Sequence, residues 1–215
     1  MNKQHPENNS SSTQLDILAK EYNLTKTQTD MLSRYLELLI EWNNKFNLTA
    51  ITDPQGIIQY HFNDSLALSR YVDFTKVHST ADIGTGAGFP GIPLKIVFPH
   101  LHTTLIEVNN KKRTFLEHII KEFALENVIV YPHDWRTFLR NTKYSIDYFF
   151  ARASLQPEEL VRIFKPTSPY KESTLVYWAS QQWAPEKIEA PFIEKEVSYT
   201  TDDKQRKFVF FKQNS

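Results

Sequence analysis

The stretch Asp82-Ile83-Gly84-Thr85-Gly86-Ala87-Gly88-Phe89-Pro90-Gly91 decides how this chain is read. The chain has 215 residues and only five glycines, and four of those five fall within this stretch. In so glycine-poor a protein, such clustering marks backbone that must take positive φ or pass close to something. A short apolar run precedes the turn and a helical pattern follows it. Strand, glycine turn and helix in that order form a cradle at the carboxyl end of a sheet, where open α/β folds bind their ligands.

Two registers compete for the turn. Read from Gly86, the segment Gly86–Gly91 fits the dinucleotide pattern G-x-G-x-x-G. Read from Gly84, it fits G-x-G-x-G, the methyltransferase form, and neither match is specific alone. Gly84 directly follows the strand, where the first motif glycine belongs. Asp82 sits where a carboxylate can hold the methionine ammonium of S-adenosylmethionine, and it would repel a pyrophosphate. Phe89-Pro90 crowds a pyrophosphate site. The second register is therefore favoured over a dinucleotide cradle or a turn that binds nothing. Glu107 ends the next strand, 23 residues after Gly84. A carboxylate there can accept from both ribose hydroxyls, so it supports a nucleoside without choosing between the two cofactors.

Outward from the turn, short apolar runs alternate with helical patterns. Strands are expected over 81–83, 103–106, 127–131, 146–151 and 174–178, with helices to about Phe98 and over 110–124, 135–141 and 157–164. Two extended runs near 192–199 and 207–212, broken by the polar residues 200–205, predict a terminal antiparallel hairpin. Alternation of this kind argues for a parallel, doubly wound sheet. Before residue 76 the rhythm is helical: a short helix near 13–22, a longer one from Lys26 to Asn44 with an apolar stripe (Met31, Leu32, Tyr35, Leu38, Leu39, Trp42), and a third beginning at Asp53-Pro54. Residues 1–12 are polar and read as a disordered arm. The expected division is an arm over 1–12, a helical extension over 13–75 and a methyltransferase domain over 76–215.

Composition narrows the chemistry. There is no cysteine, which excludes disulfides and thiolate metal sites, and His100, His102, His118 and His133 show no metal-ligand spacing, so no metal is expected. No signal-like run or 18-residue apolar span is present, so a cytoplasmic protein off the membrane is expected. A monomer is expected, though nothing in the sequence reports the oligomeric state. The 25 basic and 25 acidic residues balance, which counts against a general nucleic-acid binder but allows one local basic patch.

Six segments, in order, resemble the ribosomal RNA small subunit methyltransferase G family, also called glucose-inhibited division protein B. They are Glu41–Ile51 (EWNNKFNLTAI), His61–Ser65 (HFNDS), Asp82–Pro93, Phe98–His102 (FPHLH), Asn110–Leu116 (NKKRTFL) and Ala151–Ala153 (ARA). The resemblance covers roughly residues 30–155. It implies an α/β, Rossmann-like class I methyltransferase: a doubly wound, mostly parallel seven-stranded sheet with an N-terminal helical extension and a C-terminal antiparallel hairpin. It implies methyl transfer from S-adenosylmethionine to N7 of a guanine in small-subunit (16S) ribosomal RNA, free or in its particle. It also implies that Gly84, Phe89 and Arg152 touch the cofactor, and that Arg206 matches a C-terminal arginine of the family. The chain departs from the family pattern in three places. Glu107 replaces the usual aspartate. Trp135-Arg136 stands where an Ala-Glu pair lies near the adenine, with Asp134 the nearest acid. The segment before the fifth strand, Lys165–Tyr170, lacks the usual glycine.

The candidate cofactor residues are thus Asp82, Gly84, Gly86, Gly88, Phe89, Glu107, Asp134, Trp135, Arg136 and Arg152. Adenine stacking on Trp135 is one expectation. His61 and Asp64 share a helix face and either border the guanine pocket or anchor packing. Lys111 and Lys112 open a helix, where cations oppose the dipole; they contact phosphate or are a solvated run. Arg152 ends an apolar strand and needs a partner. Guanine N7 is a bare acceptor, so no catalytic base is required. Alternative readings are a methyltransferase of the same fold acting on another substrate, and a non-catalytic relic that binds cofactor together with RNA or a partner.

Overall fold

The computed structural model describes residues 6–213, with side chains from residue 11 onward. Helix α1 (Pro6–Glu21) starts inside the stretch read as a disordered arm. That expectation is corrected for residues 6–12, and residues 1–5 lie outside the described residues. Polar residues build the first turns of α1, while Leu15 and Leu18 are the side chains it buries. Helix α2 (Lys26–Phe46) opens with a capping box: Thr25 accepts from the Gln28 amide, and the Gln28 side chain accepts from the Thr25 amide. Asn47, in the left-handed region, ends it.

The third helix breaks into pieces. Asp53 caps α3 (Pro54–Ile57), a π-helical segment follows (Ile58–Asn63), then α4 (Asp64–Leu66) and a 3-10 turn (Ala67–Arg70). A π-helix is wider than an α-helix and is commonly met at functional sites.

The sheet holds β1 (Ser79–Ile83), β2 (His102–Ile106), β3 (Val128–Tyr131), β4 (Tyr148–Arg152), β5 (Thr174–Ser180), β6 (Ile193–Thr201) and β7 (Lys204–Phe211) in the order 3-2-1-4-5-7-6. Strands β1 to β5 pair in parallel, and β7 pairs antiparallel with both β5 and β6. The hairpin turns at Asp202, with φ 54°, so its polar break is shorter than the six residues expected. Every residue of β1 is buried, as befits a central strand covered on both faces.

Helices α5 (Gly91–Val97) and α6 (Asn110–Glu122) join the N-terminal helices in one core, built on Leu32, Tyr35, Leu39, Phe62 and Phe115. Helices α7 (Trp135–Asn141) and α8 (Pro157–Leu160) cover the other face with Trp135, Phe138, Phe149 and Tyr170. The chain leaves β1 toward β2 and β3 on one side and takes up β4 and β5 on the other. The switch point therefore lies at the carboxyl ends of β1 and β4, the place where open α/β sheets bind their ligands.

Candidate cofactor site at the switch point

The glycine turn leaves β1 at Gly84 (φ 65°), Gly86 (φ 64°) and Gly88 (φ 104°), a run of left-handed backbone that other residues adopt at a cost. The glycines serve different ends. A Cβ on Gly88 would lie 2.6 Å from the Tyr35 hydroxyl and 2.7 Å from Ile92 Cγ1, and one on Gly91 would lie 2.5 Å from Leu105 Cδ2. These two let the turn pack against the core. A Cβ on Gly84 would meet Ser154 Cβ at 2.6 Å, so this glycine lets the β1 and β4 ends come together. Gly86 differs: the nearest heavy atom to a Cβ there is Lys112 Nζ, 3.9 Å away. Its bare side faces open space.

Two carboxylates hold the turn. Asp82, 1% exposed, accepts on Oδ2 from the Thr85 hydroxyl at 2.6 Å and the Gly91 amide at 2.8 Å. Its other oxygen, Oδ1, is buried without a partner among the described residues. Burial pushes this carboxyl up to about 6, against the pull of its two donors. Glu107, at the end of β2, accepts from the Gly86 amide at 2.9 Å on Oε2 and from the Asn109 amide at 2.7 Å on Oε1. The acid expected at the ribose therefore also fixes the turn. From beneath, the Tyr35 hydroxyl donates to the Ala87 carbonyl.

Beyond β4 the backbone turns through Ala153 (φ 52°), and the Ser154 hydroxyl is buried without a partner. Arg152, only 11% exposed at its side chain, donates from NH1 to the Asp64 carboxylate (3.0 Å) and the Tyr60 carbonyl (2.9 Å). Its NH2 lies 3.0 Å from His61 Nδ1. A guanidinium can only donate, so Nδ1 accepts and the ring proton sits on Nε2, which faces the Thr49 hydroxyl at 2.8 Å. Burial first, then the charge of Arg152, push His61 down to about 3, so the ring is neutral. Asp64 is fully buried and also accepts from the Tyr199 hydroxyl (2.7 Å) and Arg206 (3.4 Å). His61 and Asp64 do share a purpose: both hold Arg152.

Phe89 is buried with its ring stacked between His61 (4.5 Å) and Tyr35 (5.4 Å), so its side chain faces inward. Lys112 reaches over Gly86, while Lys111 lies over the Phe46 ring. Asn109, capping α6, accepts from both of their amides.

On the β3 side, the stacking expected of Trp135 does not hold. Its ring is 3% exposed, packs on Phe138 and Phe149, and donates to the Glu159 carbonyl at 3.3 Å. An indole this size buries more apolar area inside than a rim position allows. Asp134 caps α7 through the Thr137 amide at 2.8 Å, and that bond holds its carboxyl below the usual range. Arg136 points outward and pairs with Glu159 at 2.9 Å.

Reading the sequence missed four participants: Tyr35, Thr49, Ser154 and Tyr199. Tyr35 alone carried a signal, since a tyrosine on a buried stripe needs a partner for its hydroxyl. Among the described residues there is no group of histidines and acids able to hold a metal, and no helix is long and apolar enough to cross a membrane.

A 3-2-1-4-5-7-6 sheet, with a glycine turn after β1 and an acid after β2, defines a Rossmann-like class I methyltransferase fold. A mutant of MtNAS solved in complex with S-adenosylmethionine shares this fold, with TM-score 0.56 and 16% identity over 93% of this chain and 78% of that one. The family model for rRNA small subunit methyltransferase G matches residues 28–213, and the chain belongs to that family. Ribosomal RNA small subunit methyltransferase G of Lysinibacillus sphaericus is 48% identical over 125 residues, 58% of this chain and 52% of the relative. That of Geobacillus thermodenitrificans is 37% identical over 181 residues, 82% of this chain and 75% of the relative. Three of the relatives are spanned over only 52% to 58% of their length.

Proposed function

We propose that this chain transfers a methyl group from S-adenosylmethionine to N7 of a guanine in small-subunit (16S) ribosomal RNA. The observation that carries the reading is Gly86, where a Cβ would meet nothing closer than Lys112 Nζ at 3.9 Å, while a Cβ on Gly84, Gly88 or Gly91 would clash within 2.6 Å. The residues present fit the cofactor. Its cradle is the space a Cβ on Gly86 would enter, and two buried polar atoms at the strand ends, Asp82 Oδ1 and Ser154 Oγ, have no protein partner among the described residues. When bound, the cofactor supplies an electrophilic methyl on a sulfonium. Asp82, Gly84, Gly86, Gly88 and Glu107 would hold it, with the Asp134–Arg136 backbone at its adenine end and Phe89 acting through its backbone. Each oxygen of Glu107 keeps a lone pair beyond the amide it already serves, which leaves it able to accept from a ribose.

The rest of the reaction asks for positioning. Guanine N7 carries no proton, so no base has to act before attack. The protein must place the lone pair in line with the methyl and keep water out. Positive charge grows on the guanine, so cations serve best out at the phosphates. The neutral His61 and the internally paired Arg152 accord with that division, and Lys111 and Lys112 stand at the rim. We assign residues 76–215 to this chemistry and residues 13–75 to its helical extension. We further propose a cytoplasmic, monomeric enzyme, and light scattering on the purified protein checks the second point.

The deciding experiment incubates the protein with methyl-labelled S-adenosylmethionine and either naked 16S RNA or small-subunit particles, then maps 7-methylguanine. Label at one guanine N7 is expected with at least one of the two. Calorimetry that shows NAD binding and no S-adenosylmethionine binding would sink the proposal.

A further inference from the structure

On the face opposite the N-terminal helices, a groove of about 400 Å³ runs between α7 and the 3-10 turn that follows α8. Arg136, Arg140, Lys143, Arg162 and Lys165 line it, with Thr167 and Ser168 at one end. The chain as a whole has no net charge, so gathering five cations here is a local departure. Two carboxylates attend them. Glu159 takes Arg136 on one oxygen and Arg162 on the other, each at 2.9 Å. Asp134 feels Arg140 but is spent on the cap of α7. Arg140, Lys143 and Lys165 have no ion pair among the described residues, and all three are exposed. Five cations along one groove face only two carboxylates, so the groove carries an excess of positive charge.

The segment from Lys165 to Pro169 forms the lower lip of the groove. It adds a lysine and two hydroxyls there.

We infer that this groove binds the phosphate backbone of the ribosomal RNA substrate, away from the guanine that is methylated. Charge complementarity selects the occupant: a row of exposed cations with hydroxyl donors matches successive phosphates. Helix α7 has seven residues and is about 10 Å long, room for about two successive phosphates of a strand. Arg136, in the first turn of α7, puts the upper end of the groove at the carboxyl side of the sheet. Lys143, before β4, puts the lower end at the amino side. A strand lying in the groove therefore leads toward the switch point. Contacts of this kind give affinity and register and carry no base preference.

The inference rests on the ribosomal RNA reading, and one experiment separates the two. The triple variant Lys143→Gln, Arg140→Gln, Lys165→Gln removes exposed side chains that make no ion pair, so its thermal midpoint and S-adenosylmethionine affinity should match the wild type. Binding of 16S RNA is then measured for both proteins from 50 to 300 mM salt. Each lost phosphate contact lowers the salt slope by about 0.7 to 0.9 and is worth roughly fivefold at 0.1 M salt. The expected result is a slope lower by about 2 and affinity weaker on the order of a hundredfold. Equal slopes in the two proteins, with methyl transfer intact in the wild type, would overturn the groove and leave the enzyme reading standing. Absence of both RNA binding and transfer in the wild type would overturn both. Loss of binding to phosphatidylglycerol vesicles in the variant, with RNA binding unchanged, would assign the groove to a membrane surface and overturn the inference.

Discussion

Asp64→Asn isolates the charge at the centre of this fold. Asp64 has no exposed surface, and three donors reach its carboxylate: Arg152 at 3.0 Å, the Tyr199 hydroxyl at 2.7 Å and Arg206 at 3.4 Å. An asparagine keeps the shape. Its oxygen can still accept from Arg152, and its NH2 can donate to the Tyr199 oxygen, so that bond reverses rather than vanishes. What disappears is the negative charge beside a guanidinium that is 11% exposed. Arg206 is 29% exposed and can turn to water, so it contributes little to the loss. Removing one partner of a buried pair costs about 3–5 kcal/mol, and the retained hydrogen bonds point to the lower end. The expected loss of about 3 kcal/mol lowers the midpoint of a domain this size by roughly 6–12 °C. Urea unfolding at pH 7 with an unchanged m value is the assay. A difference under about 0.5 kcal/mol would show that Arg152 finds solvent or another acceptor, and would refute the account of a closed network. Tyr199→Phe removes one hydrogen bond to the buried carboxylate and no charge, and should cost about 1.5–3 kcal/mol.

The two inner glycines of the turn should part company on substitution. Gly86→Ala meets no atom closer than 3.9 Å, so it keeps the fold at a cost of about 1–2 kcal/mol for its left-handed φ and weakens S-adenosylmethionine binding at least tenfold in calorimetry. Gly88→Ala drives a methyl to within 2.6 Å of the Tyr35 hydroxyl and should lose several kcal/mol of stability; equal melting of the two variants would contradict the division. Tyr35→Phe leaves the buried Ala87 carbonyl without its donor and should cost about 1–3 kcal/mol with little change at the sheet. For pH, His61 is pushed down to about 3, so the unfolded chain takes its proton first and stability is lost as pH falls below 6.5. Asp82, raised to about 6, works the other way: the folded state takes the proton first, and stability is gained as pH falls from 6 toward 3.8. His61→Gln removes the first effect, so it should gain on the wild type by up to about 1.4 kcal/mol per pH unit below 6.5. Urea midpoints at pH 7, 5.5 and 4.5 check this, and a constant difference would contradict it.

Period and punctuation made the sheet legible. Strands β1 to β5 lie within two residues of the apolar runs that announce them at every end; Gly84, Asn109, Asn127 and Pro132 mark the ends of the first three. Helix α7 falls on the expected 135–141, since Asp134 announces its start. Other features have no local signal. Nothing in Ile58–Asn63 marks a π-helix, because it forms where tertiary demands on His61 and Asp64 outweigh the helix's own preference. Trp135 looked like a stacking platform because position alone was read; burial of so large a ring is decided by Phe138, Phe149 and Tyr170, which arrive from elsewhere in the chain. The polar start of α1 concealed a helix, since residues 6–12 are judged by composition while Leu15 and Leu18 do the packing.

The motifs Glu41–Ile51, His61–Ser65 and Ala151–Ala153, far apart in sequence, meet in one chain of hydrogen bonds. Asn43, 6% exposed, accepts from the Thr49 amide at 2.8 Å; Thr49 faces His61; His61 and Asp64 hold Arg152; Asp64 takes Tyr199 and Arg206 from the hairpin. Donor counting at Arg152 shows what this leaves. A guanidinium has five N–H groups. Two on NH1 serve Tyr60 and Asp64, and one on NH2 serves His61, so the Nε proton and the second NH2 proton have no acceptor within the network. Arg152 therefore can be locked by the N-terminal helices and still offer donors to a ligand at the end of β4. The neutral state of His61 is required for that arrangement, because a protonated Nδ1 would face the guanidinium with a second donor and push it away. Tyr60, His61 and Asp64, all from the segment before β1, thus set the position of the arginine that ends β4.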